Sequence, residues 1–549
     1  MKKYTKYIAF VLLSCVLEMT SCTGNFESYN TDGAGFSDGL KEQEFNKYGL
    51  PLKVVQQGIY FNYDWGGGKN WTFQVMQNLG ADMFAGYFHD FNPFIEGRGN
   101  TIYNMQDGWN GTFWENTYGY IMPEVLKAQE LTEKKSMHPF FGIACILKVE
   151  SMHRVSDLYG PIIYTDFGSK TGSKPDSQPK AYRAFFKDLD TGIEMIRRYM
   201  AGHPEVENFA KFDILMPVGK RTYAEWIRFA NSLRLRLAVR IAMADPELAA
   251  SEACKALADP GGLLEEDDDI IAVSANGSGY YNPLGEIKIA WGEAIMNANM
   301  ESYLTGYQDP RLPRYFSRAV GGKGLELFQV EGTYKGIRQG TGFNHKNYSG
   351  HSKTTIAQST NAVLMTAAEV WFLRAEAALR KWSSENVQWC YENGIRASFA
   401  QWSAGDVVPY LQNLHTPVAY KDAFNATFDV QPVSRVTPAW DETASSEEKL
   451  EKIITQKWIA CYPEGCEAWA EQRRTGYPRL FPVLVNDSQG IVNTALGPRR
   501  FNFFVGIKTA NPEQYNALVK ALGGPDNCGT RLWWDTGRNF LNLPFIYRE

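Results

Sequence analysis

Apolar residues recur at three- and four-residue spacings over most of this chain, and that period predicts helices. Thr222 and Glu225 form a Thr-x-x-Glu capping box, and the stretch behind it sets Trp226, Phe229, Ala230, Leu233, Leu237 and Ile241 on one stripe. A second helix is predicted over 363–381, with Met365, Phe372, Ala375 and Leu379 inward. A third opens at the box Ser445-x-x-Glu448 and carries Leu450, Ile453, Ile454, Lys457 and Trp458 at i, i+3, i+4, i+7 and i+8. A fourth has Asn511 as cap and Pro512 at its first position, buries Tyr515, Leu518, Val519 and Leu522, and stops at Gly523. Residues 71–88, 114–134, 139–159 and 182–200 also read as helical, and strand signals are few. Long Gly/Asn/Trp/Tyr-rich loops are expected at 62–70, 92–110, 274–291 and 321–353. The pattern describes a mostly α protein whose antiparallel helix pairs suggest a stacked superhelix, joined by long irregular loops of the kind on which binding residues tend to sit. No clean 34-residue repeat emerges.

The first residues follow another pattern. Lys2, Lys3 and Lys6 precede an apolar run of 11 residues, 7–17, and then Met19-Thr20-Ser21-Cys22. The run is too short to span a bilayer, which needs roughly 20 residues. A small residue directly before a cysteine at such a place reads as a lipoprotein cleavage site. Residues 1–21 are thus expected to be a signal peptide and Cys22 the lipid attachment point. A small, polar stretch over 22–45 would be a flexible tether and 46–549 the folded body. A plain secretory signal cut nearby is the alternative, and Glu18 is unusual for either.

The formal net charge is −5, and the lysine-rich leader leaves the remainder more acidic still, which argues against nucleic acid as a partner. Aromatic residues make up 14 % of the chain, enough to fill a core and still leave flat rings for sugars or peptide side chains. No zinc spacing is visible, and no metal or cofactor is expected. Cys461 and Cys466 are close enough in sequence to bridge, although burial as small apolar residues is the expected state. The run Glu265-Glu266-Asp267-Asp268-Asp269 reads as a solvated turn, and His345 and His351 as surface residues of one loop.

Several ordered blocks resemble the SusD/RagB family of outer-membrane nutrient-binding lipoproteins of Bacteroidetes, in its SusD-like subgroup. Asp157-Leu158-Tyr159-Gly160-Pro161-Ile162-Ile163-Tyr164 is similar to the family's DLYG-x-x-PY stretch, with Pro161 directly after the glycine. Residues 226–240 resemble its W-x-x-FANSLRLRLA-x-R helix, 309–313 its DPRLP turn and 368–378 its AE-x-x-FLRAEAA helix. Residues 454–478 resemble I-x-QKW-x-A…EAW-x-x-RR-x-GYP, and 532–535 a terminal LWWD. The resemblance implies tetratricopeptide-like helix pairs. It also implies a SusC-like TonB-dependent transporter as partner, a cell-surface position at the outer membrane, and oligosaccharide or peptide as cargo. Within these blocks Arg234, Arg236 and Arg240 are expected to pair with Glu369, Glu376 or Glu467 at helix contacts, because buried charges need partners.

Catalytic signatures are missing. Gly66-Gly67-Gly68-Lys69-Asn70 lacks the earlier glycine and the Ser/Thr of a phosphate loop, and neither Gly-x-Ser-x-Gly nor His-Glu-x-x-His occurs. Glu369 and Glu376 lie two helical turns apart, about 10 Å between Cα atoms, too far for a retaining pair of carboxylates and at the edge for an inverting one. The expected role is ligand capture without catalysis, against the alternatives of a glycan-active hydrolase and of a helical interaction module without a small ligand. Tyr63, Asp64, Trp65 and Trp71 of the first loop are the candidate contacts, with Trp109 and with Tyr280, Tyr281, Asn282 and Trp291 of the third. Trp71 begins a helix and has core as its other reading. Trp114, Trp226, Trp458, Trp469 and Trp533 are assigned to the core.

Overall fold

The computed structural model describes residues 45–61, 71–92, 94–134, 138–170, 172–275, 279–321, 330–341 and 346–538. Cys22, the leader and the tether lie outside them, as do Tyr63, Asp64, Trp65 and His345. The chain divides into two compact units, Met1–Leu50 and Pro51–Glu549. The described part of the first is residues 45–50, the opening of helix α1 (Asn46–Ile59).

The second unit is built from antiparallel helix hairpins. α2 (Met122–Lys134) is followed by the pair α3 (His138–Tyr159) and α4 (Gln178–Gly202), and then by α5 (Tyr223–Arg240) and α6 (Pro246–Ala258). α9 (Ala367–Leu379) with α10 (Val387–Gln401) and α11 (Ser446–Ala460) with α12 (Gly465–Thr475) follow further on. Between the two sets lie the short α7 (Pro283–Trp291) and α8 (Ala298–Gly306), and α13 (Pro512–Leu522) comes last. The capping boxes operate as expected: Thr222 Oγ1 accepts from Glu225 N at 3.2 Å, Ser445 Oγ from Glu448 N at 3.2 Å, and Asn511 Oδ1 from Gln514 N at 3.1 Å. In α3/α4 the two backbones touch. A Cβ on Gly142 would stand 2.7 Å from Gly192 O, so any side chain there would pry the pair apart. This is a mostly α, tetratricopeptide-like fold.

Two helix boundaries differ from the periodic reading. Residues 362–366 form strand β4 (Ala362–Thr366), antiparallel to β2 (Ile270–Val273), and α9 starts only where Thr366 Oγ1 accepts from Glu369 N at 3.3 Å. A short apolar run has no period long enough to separate strand from helix. Within 71–88 the helix is of the π type over Gln74–Asp82, and Phe88–His89 is strand β1, paired with β3 (Ile295–Met296).

Charged side chains lock the hairpins together. Arg236 on α5 donates to both oxygens of Glu369 on α9, at 2.8 and 2.7 Å, and Arg240 pairs with Glu467 and Glu471 on α12. Lys457 on α11 donates to Glu467 at 2.8 Å. Burial opposes the charge on Glu467, yet Arg240, Lys457 and Arg236 together hold its carboxyl well below the usual range. Arg234 departs from the expectation and pairs with Asp190 and Glu252. Two residues on a helix are about 200° apart, so it faces α4 and α6, away from the face Arg236 uses. Glu376 is held by Arg474 (2.7 Å) and Arg380 (2.8 Å). Neither member of the Glu369/Glu376 pair is therefore free for chemistry.

Trp114, Trp226, Trp458 and Trp469 are core residues. Trp533 is only half-buried, and its neighbour Trp534 is the buried ring, donating to Asp157 Oδ1 at 2.8 Å. Cys461 and Cys466 are buried free thiols. The acidic run caps itself, with Asp269 Oδ2 accepting from Glu265 N and Glu266 N while Lys220 neutralises Asp268 and Asp269. His351 is not at the surface: it is packed against Tyr348 and Phe424, and burial, with the charge of Lys335, pushes its imidazole down to about 3. Among the described residues no helix is long and apolar enough to cross a membrane.

Candidate functional site

The β1/β3 ladder organises the loop face. Its register, Phe88 to Met296 and His89 to Ile295, places the residues after β1 beside those before β3. Asp90 and Asn92 thereby meet Glu293. Glu293 accepts hydrogen bonds from the side-chain amides of Gln74, on the π-helix, and Asn92. Asp90 Oδ1 accepts from Asn92 N at 2.8 Å. Both carboxylates are almost fully covered, Glu293 at 1 % exposure and Asp90 at 5 %. Among the described residues no ion pair reaches either of them. Burial pushes the Glu293 carboxyl up to about 7 although Asn92, Gln74 and Lys353 act against the shift. Burial, with the charge of Glu293, raises Asp90 well above its usual range.

Asp90 opens on a narrow cleft whose walls include Asn92, Phe94, Asn100 and Trp109. The rings of Phe94 and Trp109 meet edge to face, 5.7 Å between centroids and 89° between planes. Asn100 is fixed by Nδ2 bonds to Leu79 O and Asn110 Oδ1, both 2.8 Å. The backbone on the rim is strained: Ile95 and Glu96 take φ of 53° and 57°, a left-handed turn that a β-branched residue rarely adopts. The free space within is about 20 Å³, room for one water-sized group. A far larger groove of about 650 Å³ lies elsewhere. It sets Arg338, Arg435 and Arg479 against Glu447, Glu448 and Glu451, and holds none of the candidate ligand contacts.

The sequence candidates divide around this cleft. Trp71 stands 52 % exposed one turn before Gln74, so its alternative reading as core is set aside. Trp291 is half-buried two residues before Glu293, and α7, which it ends, packs against the π-helix. Trp71 and Trp291 thus lie within three residues along the chain of Gln74 and Glu293, which bond to each other. Trp109 is in the cleft wall, and Tyr281 is 46 % exposed at the head of α7.

Tyr280 and Asn282 are corrections. Tyr280 is fully buried and its hydroxyl donates to Tyr60 O at 2.9 Å. Asn282 is the cap of α7: its Oδ1 accepts from Leu284 N at 3.0 Å and its Nδ2 donates to Thr360 O at 3.1 Å. Alternate residues of this extended stretch face opposite sides, so Tyr281 points out where its two neighbours point in. Residues 283–291 are helix, so the loop expected over 274–291 is shorter than its composition suggested. Asp90, Asn92, Glu293 and Gln74 were missed. They are single polar residues in unrelated segments, and only the β1/β3 pairing unites them. Among the described residues no cluster of three His, Cys, Asp or Glu side chains could hold a metal ion.

A helical scaffold that carries a loop-borne face of rings, amides and acids defines a ligand-binding class of protein. The profile of the SusD-like family, described as SusD and RagB outer membrane lipoproteins, matches residues 28–535, and the chain belongs to that family. A SusD homologue of Bacteroides vulgatus is 44 % identical, with a TM-score of 0.85 over 91 % of this chain and 100 % of its own. A chitin-binding SusD homologue of Flavobacterium johnsoniae is 38 % identical, with a TM-score of 0.84 over 90 % and 99 %. A SusD homologue of Bacteroides uniformis is 32 % identical, with a TM-score of 0.79 over 89 % and 99 %. No curated protein matches the chain. Membership makes this, at the level of the family, a nutrient-binding outer membrane lipoprotein.

Proposed function

We propose that the protein is anchored through Cys22, holds its body off the membrane on residues 22–45, and captures an extracellular oligosaccharide on the face around Trp71. It then hands the cargo to a SusC-like TonB-dependent transporter. The observation that carries this reading is a cleft in which Asn92, Asn100 and Asp90 share the wall with half-buried Trp109, on a chain that also exposes the rings of Trp71 and Tyr281. Flat rings stack on sugar faces, and amides and acids bind hydroxyls without any net charge. The chitin-binding relative supports glycan over peptide as cargo.

Capture without cleavage fits the acids of the site. A glycosidase needs two carboxyl groups flanking the scissile bond. Here Asp90 is the one carboxylate among the described residues that line the cleft, while Glu293 lies behind it with its oxygens occupied by Gln74 and Asn92. Trp71→Ala should abolish glycan binding at unchanged melting temperature. Ligand binding unaffected by this change and by Trp109→Ala would reject the site.

A further inference from the structure

We infer that the cleft at Asp90 receives a primary ammonium group of the captured ligand, carried by an amino sugar or by a lysyl side chain. The inference rests on the capture reading above and specifies its cargo.

Three observations converge on it. The first is charge. Asp90 is the sole ionisable residue among the described residues that line the cleft, and Glu293 stands behind it with a second carboxyl group. Among the described residues Lys353 acts on Glu293 from beyond salt-bridge distance, and His89 has its Nδ1 against Asp90 O. Two adjacent buried acids without a cation are an unfavourable arrangement that a bound cation would relieve. The second is size. The free space suits one water-sized group, and an ammonium is of that size. The third is the wall. The Phe94/Trp109 pair borders the same cleft, and aromatic rings within about 6 Å attract a cation through their negative faces. Asn92, whose Nδ2 donates to Glu293, adds a side-chain oxygen that accepts from N–H.

The test uses the chain from Thr23 onward and calorimetry with paired ligands. Glucosamine oligomers are compared with N-acetylglucosamine oligomers of equal length, and a lysine-containing peptide with its acetyl-lysine counterpart. The amine form of the true source should bind at least tenfold tighter than its acetylated partner. Asp90→Asn keeps the shape and the acceptor for Asn92 N, and should erase that preference. Whichever pair shows the preference names the source. Equal or weaker binding of the amine forms overturns the inference, as does a preference that survives in Asp90→Asn. Should Asp90→Asn fail to fold, Trp109→Leu is the second variant, and it too must reduce the preference. Glycan binding without amine preference defeats this inference and leaves the capture reading standing. Silence toward every ligand defeats both.

Discussion

Replacing Glu293 by Gln removes a buried charge and keeps its shape, so it isolates what that charge costs the fold. Glu293 is 1 % exposed and moves from a reference of 4.5 to about 7. Its raised value means that the folded state binds the proton more tightly than the unfolded chain. The contribution to stability is therefore greatest below pH 4.5, falls as pH rises toward 7, and levels off beyond. The full cost of ionising Glu293 in place is about 3 kcal/mol. Gln has one acceptor oxygen where Glu has two, so one of the amides of Gln74 or Asn92 loses its partner, at about 1 kcal/mol. Glu293→Gln should thus be less stable than the parent by about 1 kcal/mol at pH 4.5. Above pH 7.5 it should be more stable by about 2 kcal/mol. Paired thermal or urea denaturation at the two pH values, with the order of the two proteins reversing between them, is the expected result. A variant less stable by the same amount at both values would refute the reasoning, because Glu293 would then be an ordinary ionised acid neutralised by Lys353.

Three further outcomes test other parts of the account. Arg236→Met leaves Glu369 buried without its bidentate partner and should lower stability by about 3–5 kcal/mol, read as a fall in melting temperature that Glu369→Gln partly restores. Tyr280→Phe removes the hydroxyl that donates to Tyr60 O, so it should cost at least about 1 kcal/mol by denaturation and leave ligand affinity unchanged. Gly285→Ala would place a Cβ 2.2 Å from Gln358 N, shifting α7 at a cost of about 1–3 kcal/mol. It should weaken ligand binding as well, because α7 carries Tyr281 and Trp291 at its two ends.

What could be read in advance follows from how local each determinant is. Helix existence and caps are local, and Thr222, Ser445 and Asn511 were legible because a cap and the N–H that donates to it lie within four residues. Asn282-Pro283 carries the same cap-and-proline signal as Asn511-Pro512, yet it was read as a loop because Tyr, Gly and Asn around it suggested a ligand platform. Val363 and its neighbours form a strand through pairing with residues nearly a hundred positions earlier, which no local period reveals. The ion pairs were half legible. Side-chain type says that Arg234, Arg236 and Arg240 need acids, whereas which acid depends on which helix each face meets. The site divides in the same way. Aromatic residues announce themselves by composition: Trp109 lines the cleft, Trp71 and Tyr281 are exposed and Trp291 is half-buried. The polar group that organises the cleft is assembled from Gln74, Asp90, Asn92 and Glu293 only after β1 and β3 pair.

The most direct test of capture without chemistry mixes the protein with a panel of polysaccharides, follows binding by affinity electrophoresis and calorimetry, and assays the same mixtures for released reducing ends. The account predicts saturable binding to at least one glycan, no released ends, and loss of that binding in Trp71→Ala at unchanged melting temperature. Released ends from the bound glycan, or binding indifferent to Trp71 and Trp109, would contradict it.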